Sequence, residues 1–223
     1  MIARIFLALV LALPMAVGAQ VAAPAAAPAA TPGPTPDVLI RQSAQEMLKD
    51  IDANRAVYRK DPDKVRALVD RVLLPHFDTD YSARLVLGKH WRTASAEQRK
   101  RFVDAFYKSL LRNYGAALTD FTADRLIFLP FKGDPASDQA TVRTEVRRDN
   151  GARVPVNYSL HRTAQGWKAW DVTIEGISYV RNFRADFATE IDQKGLDEVI
   201  TRLEVDLAKP AESRPASSRP GGI

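Results

Sequence analysis

The sequence predicts an α+β fold in which helices cover one face of a curved, mainly antiparallel sheet. Three observations predict it. Apolar residues recur at helical spacing through the first half, most broadly at Phe102, Val103, Phe106, Leu110, Leu111, Tyr114 and Leu118. The period then changes to two: Ala140, Val142, Thr144 and Val146 alternate with Thr141, Arg143, Glu145 and Arg147, and Val154, Val156, Tyr158 and Leu160 alternate with polar neighbours. Helical spacing returns at Phe183, Phe187 and Ile191, then at Leu196, Val199, Ile200 and Leu203. Successive strands that are apolar on one face only form an antiparallel sheet with a single covered side.

Met1 to Ala19 reads as a secretory signal, with Arg4 as the positive start, an apolar run from Ile5 to Val17 interrupted by Pro14, and small residues for cleavage before Gln20. The run is shorter than the ~20 residues a spanning helix needs, so the exported chain is expected to be soluble. Gln20 to Pro36 holds seven Ala and five Pro and is expected to be a disordered tether. The folded domain is expected over residues 37–207, followed by a disordered tail over 208–223 with Pro210, Pro215 and Pro220.

Within the domain, Asp37 can cap a first helix that runs towards Tyr58. Asp61-Pro62 restarts the chain, and Val65, Leu68, Val69, Val72 and Leu73 follow at helical spacing up to Pro75. A short helix from Tyr81 to Leu87 ends at Gly88, with Asp80 as its expected cap. Ser95-Ala96-Glu97-Gln98 is a capping-box pattern that opens the longest apolar stripe. Leu126 to Phe131 is apolar on both faces and is a candidate fourth strand. Asp149-Asn150-Gly151 and Gln165-Gly166 mark turns, after which Trp170, Val172 and Ile174 alternate with Asp171 and Thr173.

Composition excludes several functions. There is no cysteine, which removes thiolate metal sites, thiol catalysis and disulfides. The three histidines, His76, His90 and His161, lie in different local contexts, with no second ligand at helical or strand spacing. The formal charge of +5 suits an anionic surface or an acidic partner, but is ordinary for a domain of this size. Export and the absence of a nucleic-acid signature argue against nucleic acid. Asp78-Thr79-Asp80 lacks a phosphate-binding glycine loop, and Gly176-Ile177-Ser178 lacks the second glycine of a nucleophile elbow. Glu175 precedes a glycine at a strand end, where a buried acid acquires a raised pKa, although a carboxylate accepting backbone or arginine hydrogen bonds explains it better. Asn157-Tyr158-Ser159 matches a glycosylation sequon but lies mid-strand. Aromatic residues crowd the inward positions, and one sequence cannot distinguish a filled core from a cavity.

The segments Leu74-Pro75-His76-Phe77-Asp78 and Val86-Leu87-Gly88-Lys89-His90-Trp91-Arg92-Thr93-Ala94-Ser95-Ala96-Glu97-Gln98-Arg99 come first in the chain. They are followed by Phe102, Phe106, Leu110 and Tyr114, by Gly166-Trp167, Trp170-Asp171-Val172 and Glu175-Gly176-Ile177-Ser178, and by Gly195-Leu196-Asp197 and Leu203. In that order they resemble the MlaC family of periplasmic phospholipid-binding proteins, also called toluene-tolerance auxiliary proteins. The match covers nearly all of residues 37–207; the Ala/Pro tether and the Arg/Pro/Ser tail are not part of it.

The resemblance implies a monomeric periplasmic carrier with no cofactor, no metal and no catalytic residue. Acyl chains of a phospholipid would enter an apolar cavity between sheet and helices. The carrier would shuttle lipid, in either direction, between an inner-membrane ABC transporter with an MCE-domain subunit and an outer-membrane lipoprotein complex, through transient contacts with both. Outer-membrane lipid asymmetry would depend on it. Alternation then places one wall of the cavity on Val142, Val154, Val156, Tyr158, Trp170, Val172 and Ile174. Helical spacing places the other on Phe106, Leu110, Ile177, Tyr179, Phe183 and Phe187. Arg181, Arg184 and Lys89 are candidates for docking partners or phosphate near the mouth. Two other readings remain open from the residues alone: an enzyme with an NTF2-like cone-shaped pocket using Glu175 or Asp171, and a periplasmic chaperone or interaction module with an exposed apolar face.

Overall fold

The computed structural model describes residues 33–134 and 136–208. The expected signal peptide, the tail beyond Ala208 and the tether up to Pro32 lie outside the described residues.

Helix α1 spans Pro36–Lys60. Thr35, rather than Asp37, holds the cap position in extended conformation, and its hydroxyl donates to the Asp37 carboxylate at 2.7 Å. Asp37 sits in the first turn, where a negative charge meets the positive end of the helix dipole. The helix breaks its regular geometry at Asn54 (φ −125°, ψ 18°), whose amide turns back to the Asp50 carbonyl at 3.2 Å and the Asp50 carboxylate at 2.9 Å. Side-chain insertion of this kind is a recognised cause of a kink. Beyond the kink, Arg55 donates to the carbonyls of Thr119 and Phe121 just past the end of α5, which spans Ala96–Leu118. Met47 and Ile51 then pack with Val65, Leu68 and Val72 of α2, Pro62–Val72.

Helix α3, Thr79–Leu87, is capped by Asp78, not Asp80: the Asp78 carboxylate accepts the Tyr81 N–H at 2.9 Å. A four-residue α4, His90–Thr93, leads to α5. There the capping box is reciprocal as expected. The Gln98 N–H donates to the Ser95 hydroxyl at 3.1 Å, and the Ser95 N–H donates to the Gln98 side chain at 2.8 Å.

The sheet is a curved antiparallel meander in chain order: β1 Leu126–Phe128, β2 Gln139–Arg147, β3 Arg153–Thr163, β4 Gly166–Ile174 and β5 Ile177–Ser178. β1 is the expected extra strand, confined to three residues. β5 was not expected; it exists because Glu175 (φ 50°) and Gly176 (φ 83°) both adopt left-handed backbone in a two-residue turn, whose twist suits a hairpin. Register shifts between Ser159 and Leu160: Ser159 faces Asp171, but Leu160 faces Ala169. Trp170 is the extra residue of this bulge. It therefore leaves the row of Val172 and Ile174, where alternation placed it, and packs with the helices.

Helices α6, Tyr179–Lys194, and α7, Leu196–Ala208, complete the fold. With α3 and α5 they build the largest core cluster, centred on Phe102, Val199 and Ile200, all fully buried. Bidentate pairs from Arg101 to Glu204 (3.0 and 2.7 Å) and from Arg202 to Glu190 (2.7 and 2.8 Å) clasp α7 to α5 and α6. The helical layer joins the sheet at β4, where the Asp78 N–H donates to the Ala169 carbonyl at 2.7 Å and the Ser82 hydroxyl to the Trp170 carbonyl at 2.5 Å.

Candidate functional site

Strand pairing sets the site. Tyr158 faces Val142 on one side and Val172 on the other, so these three side chains form one cross-strand row. The next row is Phe128, Thr144, Val156 and Ile174, and a third contains Leu126, Val146 and Val154. Side chains directly opposite on neighbouring strands share a face. Six of the seven sheet residues singled out from the sequence therefore share one apolar face: Val142, Val154, Val156, Tyr158, Val172 and Ile174. Thr144 is the polar member, but its hydroxyl donates to the Val156 carbonyl at 2.9 Å and is fully buried, so the row stays apolar towards any guest.

The cover over this face is uneven. At one end Leu39 and Ile40 of α1 pack on Val142, Leu160 and Ala169. At the other, Val146, Val154 and Val156 cluster with Leu126, Tyr158, Val172, Ile174 and Phe121, and none of these described members lies on a helix. Tyr158, Val172 and Ile174 are accordingly half-buried. Burial still pushes the Tyr158 phenol above its ordinary pKa, against the opposing effect of a hydrogen bond with Thr144.

The residues expected on the opposite wall fall into a different cluster. α5 presents Phe102, Phe106, Leu110 and Tyr114 at four-residue spacing, and α6 presents Tyr179, Phe183 and Phe187 likewise. Their rings form a continuous series. Phe102 stacks on Phe106 at 5.5 Å, Phe106 meets Phe183 edge-on at 5.2 Å and Phe187 at 5.6 Å, and Tyr179 links Phe183 (6.0 Å) to Tyr114 (5.8 Å). The series starts at fully buried Phe102 and ends at half-buried Tyr114 and Tyr179, where burial raises the Tyr179 phenol. Tyr179 directly follows β5, so this end lies beside the β4–β5 hairpin of the apolar sheet face. Phe106, Leu110, Phe183 and Phe187 belong to the helical cluster, as does Trp170. Ile177 joins neither set and stands 48% exposed at the hairpin.

Sequence reasoning left Leu126, Phe128 and Val146 out of the expected wall, although period two already put Val146 on the face of Val142. The signal was available for Phe128, in the doubly apolar segment 126–131, but its partner Thr144 depends on register. It also missed the association of Asp78, His161 and Tyr81. The His161 Nε2 lies 2.9 Å from Asp78 Oδ2, and its ring sits 4.4 Å from Tyr81.

The candidate acids do not meet. Asp171 is buried and committed to the start of α6: one oxygen accepts the Ser178 hydroxyl at 2.6 Å and the other the Val180 N–H at 3.0 Å. Ser178 in turn accepts the Arg181 N–H at 3.1 Å. Glu175 lies on the surface beside Arg148 at 3.3 Å. Among the described residues, no three potential metal ligands converge. An open hollow of about 400 Å³ is lined mainly by polar residues such as Lys132, Asp134, Thr141 and Arg143, with Ala140, Leu160 and Trp170 also in its wall.

Comparison with known proteins follows the same lines. The family model for the MlaC protein matches residues 41–205. The toluene tolerance protein ttg2D of Pseudomonas putida is 32% identical over 178 residues, covering 78% of this chain and 82% of the relative. The intermembrane phospholipid transport system binding protein MlaC of Haemophilus influenzae is 26% identical over 176 residues, with the same coverage. Among solved structures, the phospholipid-binding protein of Ralstonia solanacearum in complex with a phospholipid aligns with a TM-score of 0.72 at 25% identity, covering 78% of this chain and 98% of its own. The matched region spans all five strands together with α5 and α6, and the chain belongs to the MlaC family.

Proposed function

We propose that this protein is a periplasmic phospholipid carrier that holds acyl chains between the apolar sheet face and the aromatic series of α5 and α6. The observation that carries the proposal is the row Val142–Tyr158–Val172 with its neighbour Phe128–Thr144–Val156–Ile174. Tyr158, Val172 and Ile174 remain half-buried there, whereas Leu39, Ile40 and Arg41 of α1 cover Val142 and Phe128. On this reading the chains insert between the apolar sheet face and the aromatic series, whose residues fall in separate clusters. The names of the relatives and the phospholipid complex of the structural neighbour support the ligand class. The capping role of Asp171 and the surface position of Glu175 weigh against an acid–base enzyme.

The energetics suit carriage rather than release into water. Each methylene contributes about 0.8 kcal/mol on leaving water, so two long chains represent roughly 20 kcal/mol. Chains moving from bilayer to protein are dry at both ends, so transfer is close to neutral and a small bias at each docking partner sets its direction. The partners on this reading are an inner-membrane ABC transporter with an MCE-domain subunit and an outer-membrane lipoprotein complex. Export by the N-terminal signal places the carrier between them, where it sustains outer-membrane asymmetry. Incubation with liposomes containing labelled phospholipid, followed by gel filtration, tests the proposal. Label is expected to co-elute with the protein; protein eluting without label after exchange would overturn it.

A further inference from the structure

The connection from α5 to β1 runs from the aromatic series to the apolar sheet face. Tyr114, at one end of the series, stands near the end of α5; Phe121, just past that end, packs on the sheet cluster of Val146, Val154 and Val156. Among the described members of that cluster, Phe121 is the one that lies outside the sheet. The connection is gripped from α1. A helix end leaves carbonyl groups without partners inside the helix, and α5 ends at Leu118. One terminal nitrogen of Arg55 donates to the Thr119 carbonyl, and the other donates to the Phe121 carbonyl at 2.8 Å. The guanidinium charge also stands at the negative end of the α5 dipole. Thr119 is buried and Arg55 half-buried, so water competes little for these bonds.

Arg55 directly follows the kink in α1. Asn54 leaves helical geometry there, with its amide on the Asp50 carbonyl and carboxylate. The Asp50 carboxylate is fixed in turn by the Tyr58 hydroxyl at 2.5 Å and by Arg71 at 2.6 Å. A residue just past a kink projects in a direction the straight helix would not give it. Asp52 pairs with the same guanidinium and holds it in that orientation.

We propose that Phe121 closes the end of the lipid-bearing sheet face farther from Leu39 and Ile40, and that Arg55, aimed by the kink at Asn54, is the residue that positions it. The proposal rests on the carrier reading and deepens it, by naming what restrains an acyl chain at that end. At the near end α1 itself covers the face, through Leu39 and Ile40. At the far end a single ring from the α5–β1 connection takes the place of a helix. Both bonds from Arg55 go to main-chain carbonyls, so the Phe121 ring keeps its freedom to turn about χ1. A chain can therefore pass the ring while the backbone that carries it stays in place. Arg59 reaches the same connection, but its pair with Asp120 is 3.5 Å long and exposed on both sides, and such a pair contributes little.

The test is the rate at which radiolabelled phosphatidylethanolamine leaves the loaded full chain for an excess of acceptor liposomes. Phe121→Ala and Arg55→Gln are each expected to speed this transfer by about fivefold. The double variant is expected to be no faster than Phe121→Ala alone, because Arg55 acts through that ring. A merely structural arginine would instead multiply the two effects. Asn54→Ala, an exposed change to a strong helix former, keeps both Arg55 and Phe121 but removes the kink, and is expected to speed transfer as well. Arg59→Gln, the control for lost charge, is expected to behave as wild type. Unchanged transfer in any of the three single variants, multiplied effects in the double variant, or equal acceleration in the control would overturn the proposal and leave lipid carriage standing. A wild-type chain that takes up no label would overturn the carrier reading and this one together.

Discussion

Replacing Val172 with glutamate separates a chain-bearing face from an ordinary core. Val172 is half-buried and sits across from Tyr158, with Ile174 two positions along the same strand. The strand arginines Arg143, Arg147 and Arg153 occupy alternate positions on the other face, so no guanidinium of these strands neutralises the new carboxylate. An apolar recess of this kind raises a glutamate pKa by roughly 2, which corresponds to about 3 kcal/mol against the charged form at neutral pH. If chains lie on Val172, that penalty falls on the lipid-bound state, and occupancy drops by roughly a hundredfold. The sign with pH follows: the raised carboxyl is neutral below its shifted pKa, so lipid retention returns as pH is lowered from 7 to 5 and is lost again as it rises. The fold is expected to survive, because solvent or rotation can accommodate the group in the empty state. Val154→Glu supplies the contrast, since Val154 is 1% exposed and its charge has no escape, so that variant unfolds. The assay is lipid extraction from detergent-free protein at both pH values, with thermal unfolding of each variant. Val172→Glu protein that keeps its lipid at pH 7, or that unfolds like Val154→Glu, would refute the reasoning.

Gly88→Ala is expected to lose about 1–2 kcal/mol in chemical denaturation, because φ is positive there and the Arg184 guanidinium occupies the space a Cβ needs. Asp171→Ala removes the acceptor for both the Ser178 hydroxyl and the Val180 N–H, and an expected loss of about 1–3 kcal/mol would show as a lowered melting temperature. Asp50 is held below the usual carboxylate range by the Tyr58 hydroxyl first, with help from Asn54 and Arg71 that outweighs partial burial. Its folded value is depressed, so its contribution is present above the unfolded value near ~4 and is lost as pH falls through the folded one. Asp50→Asn should therefore melt about 1 kcal/mol less stable at pH 7 and show a flatter acid limb, whereas an unchanged limb would remove Asp50 from the acid response.

Local signals were legible where a single segment carries them. The reciprocal bonds of Ser95 and Gln98 follow from four adjacent residues, and the shared face of Val142, Val156 and Tyr158 follows from period two along β2 and β3. Errors arose where two local answers compete or a distant strand decides. Asp78 and Asp80 are both competent caps, and the chain's entry from the Phe77 bridge to Ala169 selects the first. The bulge opposite Ser159 and Leu160 is a property of pairing, invisible in β4 alone, and it moved Trp170 from the sheet wall to the helical cluster. The short β5 hinges on Glu175 accepting a positive φ that non-glycine residues rarely adopt. For the candidate site, periodicity identified which side chains point inward. It carried no information on whether they meet, because packing between α1, α5, α6 and the sheet is set by residues far apart in sequence.

Native mass spectrometry of the protein, purified from the periplasm without detergent, tests lipid carriage most directly. The account predicts a stoichiometric adduct at phospholipid mass that is lost on extraction and regained from liposomes. A bare protein mass that liposomes leave unchanged would contradict it.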